Sequence, residues 1–177
     1  MNGRQFAGPA ALWGLFLGIS IAPALAQPIE RVRACLVESI APLRLSELAQ
    51  AISSCEQVIG DAATPRDVRG QALAQRGLLY AKRWSIVETE PDALHGIADI
   101  TEGLRLHSPD KDKKQHLLNV RGQLYLATGQ HKKAADDFKA VLAEAPDNEA
   151  ARAGLKKTGA AENYCSGVQP PHSLTPR

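Results

Sequence analysis

The residues best suited to chemistry are three cysteines, Cys35, Cys55 and Cys165, and five histidines, His95, His107, His116, His131 and His172. A redox or structural-metal centre on the cysteines would use Cys-x-x-Cys spacing, which the chain lacks. The histidines show no metal-ligand spacing, and they read as solvated helix residues. No His-Glu-x-x-His, Gly-x-Ser-x-Gly or dinucleotide fingerprint occurs. Gly154-Leu-Lys-Lys-Thr-Gly159 superficially resembles a phosphate loop, but its glycine spacing and its Gly-Lys-Thr order are wrong. Asp110-Lys-Asp112 lacks the glycine and glutamate of a calcium loop. Lys111, Lys113 and Lys114 alternate with acids, which suits a wet helix start better than an anion site. The expectation is a protein without an enzyme's machinery, without a metal and without a cofactor.

Composition narrows the class further. The chain has 177 residues, with 21 Lys+Arg against 19 Asp+Glu, a net charge of +2. So even a balance argues against a dedicated nucleic-acid binder. Aromatics make up 5%, thin for a sandwich or barrel core and easier to reconcile with Ala/Leu helix packing. One domain with a tail is expected.

The N-terminus carries an address. Arg4 gives a short basic region, an apolar run follows from about Ala10 to Ala22, and Ala24-Leu25-Ala26 supplies a small-x-small site. This predicts a signal peptide over residues 1–26, cleaved after Ala26. The alternative is an uncleaved anchor. No later segment approaches a membrane-spanning length. The mature chain is expected to be exported, to the periplasm or alternatively to the outside, with no membrane insertion after cleavage.

Two stretches repeat one another. Arg76-Gly-Leu-Leu-Tyr80 and Arg121-Gly-Gln-Leu-Tyr125 both read Arg-Gly-x-Leu-Tyr, and each precedes a segment of helical period. Those segments are Gly96 to Leu106 and Ala134 to Leu142. A third copy of the second half stands upstream as Ala51 to Ile59. Small residues let two helices approach, and a large residue nearby fills the gap. Such hairpins bury their apolar faces only by stacking on neighbours. Boundary signals divide the chain accordingly. Thr64-Pro65-Arg66-Asp67 places an N-cap before a proline and an acid, and Ser108-Pro109-Asp110 repeats that arrangement. Seven helices are predicted after the signal. They form hairpins at about 29–60, 65–107 and 110–145, and a capping helix at 148–158 whose one side is basic through Arg152, Lys156 and Lys157. Residues 159–177, ending Pro170-Pro171 and Pro176-Arg177, read as a flexible tail.

On these residues the chain resembles the tetratricopeptide repeat family. The best copy spans Gln115 to Asn148, 34 residues. Leu118 stands where the usual tryptophan is, followed by Gly122, Tyr125, the turn glycine Gly129, Ala134, Phe138 and the closing Pro146. Val141 replaces a second small residue. In the middle copy Gly77, Tyr80, Gly96, Ile100 and Gly103 match. Seven extra residues lie between its halves, around Trp84 to Pro91. The earliest copy matches only in its second helix. The resemblance implies an all-α superhelix of stacked antiparallel hairpins, with two clear repeats, one degenerate N-terminal hairpin and a C-terminal cap.

Cys35 and Cys55 flank a turn and are equidistant from residue 45, so an antiparallel hairpin would bring them to one height. Cys55 also occupies the position of Ile100 and Phe138. A Cys35–Cys55 disulfide is predicted, with two buried thiols as the alternative. Exported bacterial tetratricopeptide proteins with a similar cysteine pair point the same way. Cys165 is left over, either free or linked to another chain.

The resemblance also implies a concave surface lined by first helices. Its groove positions fall on Gln71, Ala74, Leu78 and Lys82, and on His116, Asn119, Gln123 and Leu126. The amides suit an extended peptide backbone, and the leucines offer apolar contact. Trp84, expected in an inserted loop beside Ile86 and Val87, is either an interface anchor or a lid folded over the hairpin end. The function expected is an adaptor or assembly factor of the bacterial cell envelope that binds a protein or peptide. The alternative is a non-catalytic accessory or regulatory subunit of an envelope enzyme.

Overall fold

The computed structural model describes residues 31–36 and 44–160. The predicted signal peptide, the tail from residue 161 onward and Cys165 lie outside these residues. Every element among the described residues is a helix. They are α1 (residues 31–36), α2 (Leu45–Gly60), α3 (Arg66–Val87), α4 (Glu90–Leu106), α5 (Lys111–Ala127), α6 (His131–Glu144) and α7 (Glu149–Lys157).

Local chemistry sets the ends. The Arg44 N–H donates to the Glu47 carboxylate at the start of α2, 2.8 Å. Asp110 accepts from the Lys113 N–H, 2.8 Å, and Asn148 accepts from the Ala151 N–H, 2.9 Å. These two side chains satisfy backbone donors that a helix start leaves open. Lys156 and Lys157 stand in the last turn of α7, where the helix dipole favours cations. At α3 the expected cap is displaced by one residue. Pro65 is the N-cap, and Thr64 instead donates its hydroxyl to the Val58 carbonyl, 2.8 Å, tying the end of α2 to the start of α3.

The extra residues around Trp84 do not form a loop. They extend α3 to 22 residues and α4 to 17, leaving a tight turn at Glu88-Thr89. Trp84 therefore lies on a helix. Glu88 makes the turn with φ 51°, in the left-handed region.

Within the α3–α4 and α5–α6 pairs the two helices run antiparallel. Arg76 meets Asp99 and Arg83 meets Asp92 across α3 and α4, while Arg121 meets Asp137 and Lys114 meets Glu144 across α5 and α6. Each helix from α2 onward packs on its chain neighbours, and α5 also touches α3 and α7. The backbones of α4 and α6 do not approach one another among the described residues, nor do those of α2 and α4.

Among the described residues three apolar clusters make up the core. The first joins Cys35 to Leu48, Ile52, Val58, Leu79 and Tyr80. The second joins Ala93, Ile100, Leu117 and Leu124. The third surrounds Phe138 with Leu118, Tyr125, Val141, Ala151 and Leu155.

The two motif glycines, Gly77 and Gly122, serve different contacts. A Cβ on Gly77 would lie 2.7 Å from Ile100 Cγ1 and 3.0 Å from the Gly96 carbonyl oxygen. One on Gly103 would lie 2.7 Å from the Ala74 nitrogen. Backbone thus meets backbone between α3 and α4. On Gly122 a Cβ would strike the Phe138 ring at 2.7 Å, and on Gly154 it would strike the same ring. The ring fills slots left on α5 and α7.

Candidate functional site

The motif arginines are pinned by aspartates of the following helix. Arg76 donates Nε to Asp99 Oδ2 at 2.6 Å and Nη2 to Oδ1 at 2.8 Å. Arg121 donates Nε to Asp137 Oδ2 at 2.8 Å and Nη2 to Oδ1 at 2.7 Å. Arg121 also donates Nη1 to the Thr101 hydroxyl, 3.1 Å, which bridges α5 to α4. Each guanidinium lies over its motif tyrosine, Arg76 at 5.9 Å from the Tyr80 centroid and Arg121 at 5.8 Å from that of Tyr125. The aspartates hold both guanidiniums more firmly protonated than an ordinary arginine through these hydrogen bonds. Arginine is charged at any working pH, so the pairs position helices and do not move protons.

A third pair has no counterpart in the other repeat. Arg83 donates Nε to Asp92 Oδ2 at 2.8 Å and also lies over the Tyr80 ring, 5.1 Å from its centroid. Hydrogen bonds from Arg83, then from Thr89, hold the Asp92 carboxyl below the usual carboxylate range. Burial pushes the Tyr80 phenol up. The His95 ring stands 5.0 Å from that of Tyr80. At the other end of the hairpin, His107 Nδ1 contacts Asp67.

The groove candidates distribute unevenly over α3 and α5. His116 and Gln123 are exposed on α5. Leu78, Lys82 and Leu126 are half-buried. Leu78 packs on the cluster of Ile100 and Leu124, and Leu126 on that of Phe138. Gln71 is half-buried and donates Nε2 to Asp67, 3.0 Å. Ala74 is buried against the backbone of α4. Asn119 is only 8% exposed and donates Nδ2 to Asn148, 3.3 Å, while its Oδ1 is buried without a protein partner. Its amide therefore supports the cap of α7. Trp84 is half-buried against the Ile100 cluster, whereas Ile86, Val87 and Leu94 near the same turn are exposed.

Cys35 and Cys55 are joined in a disulfide, 1% and 0% exposed. Among the described residues no group of three or more His, Cys, Asp or Glu could hold a metal ion, and no helix is long and apolar enough to cross a membrane. The arginine–aspartate pairs went unread in the sequence. Their signal was present, since an aspartate directly precedes both large second-helix residues, Asp99-Ile100 and Asp137-Phe138. Comparisons with protein-family models, with curated proteins and with solved structures return no match.

Proposed function

We propose that this chain is a tetratricopeptide-like stack of the bacterial cell envelope, acting as an adaptor or assembly factor. It would hold an extended segment of another protein against the layer formed by α3, α5 and α7. One observation carries this reading. The alternate helices α3, α5 and α7 touch in succession, while α4 and α6 stay apart. A stack closer on one layer than on the other bends toward the closer layer, and extended concave surfaces of this kind are what solenoids use for binding. His116 and Gln123 are the exposed polar side chains of α5 among the groove candidates. Either can donate to or accept from a peptide backbone. The disulfide supports an oxidising compartment, in keeping with export.

The test is site-specific photo-crosslinking in the native cell, with the probe at Gln123 and a control at Lys139 on α6. A discrete adduct from Gln123 alone supports the layer as the binding face, and mass spectrometry identifies the partner. Adducts from Lys139 or Trp84 without Gln123 move the interface elsewhere and reject the reading.

A further inference from the structure

The N-terminal end of the stack is held differently from the rest. Cys55 stands at the repeat position of Ile100 and Phe138, both fully buried. Those two lock their helices by volume. Cys55 locks α1 by a covalent bond to Cys35. Among the described residues of α1, Val32 and Leu36 join Cys35 in the apolar cluster, half-buried, while Arg33 and Ala34 are exposed. Among the described residues, the clusters around Ile100 and around Phe138 contain none from α1 or α2.

We propose that the Cys35–Cys55 bond is a redox latch that holds α1 to the N-terminal part of the stack. Oxidised, it holds α1 over Leu48, Ile52, Leu79 and Tyr80. Reduced, it lets α1 leave that apolar row while α3 to α7 stay folded. The reductant is a dithiol. Its thiolate attacks one sulfur to form a mixed disulfide, and its second thiol then closes the reductant's own disulfide. Two electrons and two protons pass to Cys35 and Cys55, which become free thiols. Both sulfurs are buried, so attack follows local fraying of α1. Opening the loop between the cysteines releases chain entropy that raises the undocked fraction of α1 on the order of a hundredfold.

The experiment is hydrogen exchange on the folded protein before and after dithiothreitol, in a Cys165→Ala background so that one bond changes. Amides of residues 31–36 and of α2 should exchange at least about tenfold faster after reduction. Those of Leu117, Leu124 and Phe138 should keep their rates. Unchanged exchange in α1 overturns the latch, because α1 would then dock without the bond. Equal acceleration in all helices also overturns it and makes the bond a staple of the whole domain. A bond that dithiothreitol leaves intact in the folded protein overturns it as well.

Discussion

The α3–α4 hairpin and the α5–α6 hairpin carry the same five-residue motif in their first helices and close by different means. In the first, glycines on both helices bring backbone against backbone, with Gly103 facing Ala74 and Gly77 facing Gly96. In the second, one aromatic ring occupies the slots of Gly122 and Gly154 and so binds α5, α6 and α7 together. The motif fixes where a small residue and a guanidinium must stand. It leaves open what arrives from the partner helix. Ile100 at that position permits a close seam, whereas Phe138 demands room on two neighbours.

The contrast predicts opposite vulnerabilities, and these carry the largest effects. Removing the ring should hurt the second hairpin most. Phe138→Ala should cost about 3–5 kcal/mol, the usual range for a buried aromatic. Adding an atom should hurt the first. Gly103→Ala gains roughly 1 kcal/mol of helix propensity, yet its Cβ meets the Ala74 nitrogen and the Gly70 carbonyl oxygen, which have no rotamer to yield. A net loss of about 1–3 kcal/mol is expected, as for an overpacked core. Urea unfolding of both variants, with the disulfide intact, measures the difference. A neutral or stabilising Gly103→Ala would mean the seam is not tight.

How much of this was legible follows from where information resides in a chain. The all-helical class and the cysteine pair were readable, because periodicity, proline positions and symmetric spacing are local or nearly local signals. Trp84 was misplaced in a loop because an insertion in a repeat resembles a loop unless both flanks continue the helical period. Here they do, from Arg66 to Val87. Gly154 drew notice as part of a failed phosphate loop. Its role depends on the distant Phe138 ring, and no spacing rule connects them. Asn119 matched a groove position by register alone. Its use in bracing Asn148 depends on how closely α7 returns to α5.

The Arg83–Asp92 pair sharpens the comparison by acid. Only the α3–α4 hairpin has it, near the turn. Asp92 holds its proton less readily in the folded chain than in the unfolded one. Its contribution is therefore present above the ordinary carboxylate range, near pH 4, and is lost as pH falls below it. Asp92→Asn should cost about 1–2 kcal/mol at neutral pH, as for a hydrogen bond to a charged group. Melting temperatures of wild type and variant should converge between about pH 4 and pH 2. Parallel curves across that range would show that Asp92 does not titrate with folding.

The smallest expected effects concern the two turns, and they run in opposite directions. Both hairpins turn through a residue in the left-handed region. Gly129 does so at φ 71° and Glu88 at φ 51°. After α5, the Gln130 N–H returns to the Tyr125 carbonyl at 2.7 Å, a closure that favours glycine at the position before it. Open space surrounds a Cβ at Gly129, so only backbone strain opposes a side chain there. Gly129→Ala should lose about 1 kcal/mol, and Glu88→Gly should gain a similar amount by relieving the strain that Glu88 bears. The gain is offset in part by the larger entropy of an unfolded glycine. If Glu88→Gly instead destabilises, the glutamate side chain must be making a contact that outweighs its backbone, and the long α3–α4 hairpin would then owe its turn to that contact and not to its backbone conformation.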